Sequence, residues 1–107
     1  MRSVEQRSKK RHQVDFAACL VWEKRLIETV AINLSQEGAL LKGHSHQFPV
    51  NATLRICCCI AEKTYDIPGI VIHNTNGNVG IEFKKQQPEF FSAVMQINEQ
   101  PRAVSAA

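Results

Sequence analysis

Apolar and polar side chains alternate at every second position in about six short segments of this chain, each closed off by a turn signal within about a dozen residues. Period two places successive side chains on opposite faces of a β-strand, so each segment has one face to bury and one to leave in solvent. Several short strands at such spacing cannot stand alone, and the solutions open to them are an antiparallel barrel or sandwich.

In the first segment Val14, Phe16, Ala18, Leu20 and Trp22 alternate with Asp15, Ala17, Cys19 and Val21. Glu23-Lys24-Arg25 turns the chain, and Leu26 to Asn33 alternates again, rich in the β-branched residues Ile27, Thr29, Val30 and Ile32. The two form a hairpin. Leu34 to Gly38 interrupts the pattern before Ala39-Leu40-Leu41 resumes it, and Gly43 to Asn51 is a polar connection with Pro49. Thr53 to Ala61 and Tyr65 to His73 read as two further strands turning near Glu62 to Thr64. Pro68-Gly69 inside the latter requires an edge, a bulge or a kink. Asn74 to Asn78 is a strong turn signal and Val79 to Phe83 a last strand. Pro88 then opens a helix with Phe91, Val94, Met95 and Asn98 at i, i+3, i+4 and i+7, flanked by Phe90 and Ile97. The expected architecture is a mainly all-β fold: a small six-stranded antiparallel Greek-key-type barrel, capped by a C-terminal α-helix.

At 107 residues there is room for one core and one domain. The reading divides the chain into a basic arm over 1–13, a barrel with its helix over 14–98 and an unstructured tail over 99–107. No apolar run reaches the 18 or so residues of a membrane span, and the polar start RSVEQRSKKRHQ is not a secretory leader. A cytoplasmic protein with free thiols is expected. There the tripeptides at Asn33 and Asn51 meet no glycosyltransferase. Cys57-Cys58-Cys59 lacks the C-x₂₋₄-C spacing that closes two sulfurs on one zinc, even with His44 and His46 nearby, so no metal site is expected. Nothing places a base beside a nucleophile, and there is no P-loop and no usable carboxylate pair; the chain is expected not to be an enzyme and to need no cofactor.

Charge is placed unevenly. Of 13 Lys+Arg, five (Arg2, Arg7, Lys9, Lys10 and Arg11) fall within residues 1–12 against the single Glu5, a net +4 there, while the remaining residues sum to −1. Such an arm serves many chains merely as a solvated tail, but it is also ordered cheaply by an anion. The arm contains RxxxR, as Arg7 to Arg11, and the loop after the second segment contains NxSxxG, as Asn33 to Gly38.

RxxxR just before a first strand, followed some twenty residues later by (Asp/Asn)xSxxG between the second and third strands of a small barrel, resembles the PilZ domain family of bacterial cyclic di-GMP receptors. Val14 three residues after Arg11, Ala39-Leu40-Leu41 after the glycine and Val79-Gly80-Ile81-Glu82-Phe83 as a closing strand extend the resemblance over about residues 6–97. It implies a cyclic di-GMP site formed by Arg7, Arg11, Asn33, Ser35 and Gly38. Lys10 would add a phosphate contact, and His73, near the end of the penultimate strand, would stack on a base. These residue types suit the ligand. Arginine pairs bidentately with phosphate, matches O6 and N7 of guanine and stacks on a ring; Asn33 and Ser35 can hydrogen-bond a guanine edge. Gly38 would supply either a positive φ or close backbone approach. Glu37 puts a negative charge where a dianion would bind.

The resemblance implies a receptor whose arm is ordered by cyclic di-GMP and which signals to a protein partner in motility, adhesion, biofilm or virulence control. The alternative is a nucleotide-independent adaptor of the same fold, as in type IV pilus assembly. A barrel for single-stranded nucleic acid needs strand-borne aromatics over a basic groove; here the body is net −1 and the aromatics are scattered, so no nucleic acid polymer is expected as a partner.

Overall fold

The computed structural model describes residues 10–42, 48–75 and 77–98. The expectations for Arg7, His44, His46 and the tail over 99–107 lie outside the described residues. Six strands and one helix follow in order: β1 (His12–Trp22), β2 (Arg25–Leu34), β3 (Gly38–Lys42), β4 (Thr53–Ile60), β5 (Lys63–Thr75), β6 (Asn78–Phe83) and α1 (Pro88–Asn98). The strands close into an antiparallel barrel in the order β1-β2-β3-β6-β5-β4. Two three-stranded meanders are joined so that β4 returns beside β1, the connectivity of a Greek key. Among the described residues no helix is long and apolar enough to cross a membrane.

Alternation fills the barrel. Leu20, Ile27, Ala31, Leu34, Leu41, Leu54, Ile56, Ile67, Val71, Val79 and Ile81 point inward and are almost wholly buried. Phe48, in the connection read from sequence as polar, closes one end of the barrel and packs edge-on against Trp22 with ring centroids 5.0 Å apart. The side-chain amide of Asn74 donates to its carbonyl. Phe90 of α1 fills the other end, where its ring meets those of Phe16, Tyr65 and Phe83. The buried stripe of the helix is therefore centred on Phe90 and Val94. Phe91 and Met95, expected at its centre, are only half-buried, and Ile97 is exposed.

Both meanders turn tightly. Glu23 and Lys24 have φ of 50° and 69°, Ala61 and Glu62 of 52° and 66°, the paired positive values of a two-residue type I′ turn. The first falls within the expected Glu23-Lys24-Arg25 and the second one residue earlier than expected at Glu62–Thr64, both without the Asn or Gly that normally marks such turns. Pro68 needs no distortion. The pairing of β5 with β6 begins at Gly69, so Pro68 sits one residue beyond that ladder, opposite Arg55 on β4 and with its carbonyl accepting from the Lys84 N–H just past β6. Of the three options the sequence left open, a local edge is the one adopted.

Candidate functional site

A bulge in β2 prepares the loop chemistry. Ile27, Thr29 and Ala31 face inward at period two, but β2 advances from Ala31 to Asn33 while β3 moves only from Leu41 to Leu40, so that Leu34 takes the next inward position; β1 in turn carries an extra residue against β2 between Gln13 and Phe16. The extra residue of β2 turns Asn33 outward. On the outer face Asn33 stands opposite Leu40, Leu40 opposite Gly80, and Gly80 opposite His73. Among the described residues the buried side-chain atoms with no hydrogen-bond partner are Asn33 Oδ1 and His73 Nδ1, one at each end of this row. Gly80 makes the row possible, since a Cβ there would come within 2.3 Å of His73 Nε2. The imidazole lies across the bare glycine backbone.

The loop from Ser35 to Gly38 is built by its own serine. Ser35, only 4% exposed, accepts from the N–H groups of Glu37 (3.0 Å) and Gly38 (3.2 Å) at Oγ, and its own N–H donates to the Gly38 carbonyl at 2.9 Å. The hydroxyl thus folds the loop as an ST-type turn and keeps only its proton to offer elsewhere. Two further backbone bonds fix the loop to the end of β6 and to the segment leading into α1: Phe83 N–H to the Glu37 carbonyl and Gln87 N–H to the Gln36 carbonyl.

Gly38 answers the question its position poses. Its φ is not positive; a Cβ would lie 2.3 Å from the Ile81 carbonyl oxygen and 3.3 Å from the Glu82 Cα. Close approach of β3 to β6 is what the glycine allows. Gly38→Ala would force a methyl into that backbone, with an expected loss of about 1–3 kcal/mol as the two strands separate. Urea denaturation checks this, and a midpoint equal to the parent's would show that the seam gives way freely.

Arg11, immediately before β1, reaches the same corner of the barrel. It lines one cavity of about 490 Å³ together with Ser35, Glu37, Gly38, Ile72 and Glu82. The second arginine of the arm motif and the two last named residues of the loop motif are brought together here. Asn33 and His73 lie on the adjoining row rather than in the cavity wall, and Lys10 is exposed without lining it. Ile72 and Glu82 were not singled out from sequence. Glu82 stands opposite Gly38 across β3 and β6, a register that no local pattern reveals; Ile72 is the extra residue of the bulge between Val71 and His73, which turns it outward.

Among the described residues no group of three or more His, Cys, Asp or Glu is placed to hold a metal ion. The chain matches the PilZ domain family over residues 5–97. No curated protein sequence matches it. Among solved structures it is similar to the PilZ domain of CeSA from a cellulose-synthesizing bacterium (TM-score 0.65, 14% identity, 83% of this chain and 94% of that one). It is also similar to the Bacillus subtilis inhibitor of motility MotI/DgrA (TM-score 0.71, 15% identity), where 90% of this chain spans 54% of the other. At such identities the likeness is one of fold.

Proposed function

Because the chain belongs to the PilZ family of cyclic di-GMP receptors, we propose that it binds cyclic di-GMP at the corner where Arg11 meets the Ser35–Gly38 loop. One observation carries the reading: a single cavity of about 490 Å³ is shared by the second arginine of the arm and by Ser35 and Gly38 of the loop. The guanidinium supplies a planar fork for a phosphate or a guanine edge. The lone buried acceptor Asn33 Oδ1 fits the amino or ring N–H of a purine, and an acceptor left unmade in the interior costs about 1–3 kcal/mol. His73, flat across Gly80, offers a ring face. Arg7 and Lys10 contribute further positive charge from the arm, over residues 1–13. No catalytic step is required: the ligand orders the arm over the loop, and the altered surface of the cytoplasmic domain is what a protein partner reads.

A calorimetric titration with cyclic di-GMP at near-physiological salt tests this, with GTP and cyclic di-AMP as controls. Selective saturable binding is expected, and its stoichiometry separates one bound nucleotide from an intercalated pair. A second reading rests on the carboxylates of Glu37 and Glu82 in the same cavity wall. Two negative groups facing a dianion favour a nucleotide-independent adaptor of the same fold, and no heat at ligand concentrations far above micromolar would select it. Under the receptor reading Glu37→Gln tightens binding roughly 5-fold, the effect of removing about 1 kcal/mol of repulsion at a hydrated site. Weaker binding by that variant would instead make Glu37 an acceptor for the guanine N–H groups.

A further inference from the structure

Away from the arm, the outer face of the barrel carries a second row of side chains in register. Glu28 on β2 stands opposite Cys19 on β1, Cys19 opposite Cys57 on β4, and Cys57 opposite Asp66 on β5. Directly opposed residues on antiparallel strands share a face and have Cα atoms about 4.5–5.5 Å apart. A disulfide requires about 4.4–6.8 Å between Cα atoms, so the backbone already holds Cys19 and Cys57 at bridging distance. Both are free, half-buried thiols on the wall of a cavity of about 690 Å³ whose named lining shares no residue with the arm cavity. The Cys57 thiol donates to Asp66 Oδ1 at 3.5 Å.

The other two cysteines are differently placed. Cys58 lies on the core side of β4, where burial pushes its thiol up to about 11. Cys59 is exposed and stands opposite Thr64.

We propose that Cys19 and Cys57 form a redox modification site that a peroxide closes into a cross-strand disulfide. The Cys19 sulfur attacks one peroxide oxygen and the O–O bond breaks, giving a sulfenic acid and water. The Cys57 sulfur then attacks the Cys19 sulfur, the S–O bond breaks, and the departing hydroxide takes the Cys57 proton by way of Asp66 to leave as water. Two thiols are oxidised by two electrons and one peroxide is reduced to two waters. The bond falls on a sparsely stitched seam: β1 pairs with β4 at three positions, Cys19↔Cys57 among them, as few as β2 with β3 and against eight between β4 and β5. Oxidation fastens that seam, and with a closed loop of about 40 residues it should raise Tm by roughly 5–15 °C.

The test treats the full chain with hydrogen peroxide, blocks remaining thiols and maps the peptides without reduction. The expected product is a monomer lighter by two hydrogens, with the Cys19 and Cys57 peptides joined, released by dithiothreitol and formed equally by Cys59→Ser. Cys19→Ser and Cys57→Ser should each lose the link and the rise in Tm. Four blocked thiols, links confined to other cysteines, dimers joined through Cys59, or sulfinic acid without a link would each overturn the proposal, and the parent chain alone suffices to decide.

Discussion

Phe90→Ala is expected to lower the stability of the domain by about 3–5 kcal/mol, a large share of the roughly 5–15 kcal/mol that holds a domain together. Phe90 is 1% exposed, and its ring centroid lies 4.9 Å from that of Tyr65, 6.0 Å from Phe16 and 6.4 Å from Phe83. One side chain thus anchors α1 to β1, β5 and β6. Truncation leaves a void at the open end of the barrel and removes three aromatic contacts, each worth about 0.5–1.5 kcal/mol beyond area burial. The melting midpoint should fall by roughly 15 °C or more. Ile97→Ala, on the exposed side of the same helix, serves as the control and should stay within about 0.5 kcal/mol of the parent. Equal effects for the two variants would mean that the helix does not dock through Phe90.

Arg11→Ala is expected to weaken cyclic di-GMP binding by about 10–150-fold, the loss of 1.5–3 kcal/mol carried by a charge-assisted hydrogen bond. Arg11 is exposed and precedes β1, so the melting midpoint of the free protein should hardly move. Arg11→Lys keeps the charge but not the planar fork, and should recover only part of the affinity. Calorimetry on the three proteins separates the terms. Binding by Arg11→Ala as tight as the parent's would remove Arg11 from the site.

Strand alternation made the barrel legible in the sequence, because burying one face of every strand is a local demand that each segment states for itself. The loop motif was equally plain, since Ser35 folds its turn through neighbours two and three residues away. What stayed hidden was register. That the β2 bulge turns Asn33 outward, that Glu82 stands opposite Gly38, and that His73 rests on Gly80 all depend on pairings between distant strands. The centre of the helix stripe moved from Phe91 to Phe90 for a related reason: at 3.6 residues per turn either phase satisfies the pattern, and the shape of the barrel mouth selects one. The turn at Glu23–Lys24 falls where its polar residues put it, while the one at Ala61–Glu62 lies a residue early, because strand twist holds non-glycine residues at positive φ there and no Asn or Gly marks the place.

The cavity at Arg11 draws Ser35, Glu37 and Gly38 from the first meander and Ile72 and Glu82 from the second. Neither meander contains it alone, so it comes into being only when β3 and β6 meet, and an unfolded chain has nothing to offer a ligand. Occupancy and folding are therefore linked. A ligand at a hundred times its dissociation constant adds about 2.7 kcal/mol to the free energy of unfolding, which turns the thermal midpoint of this small barrel into a gauge of free ligand concentration.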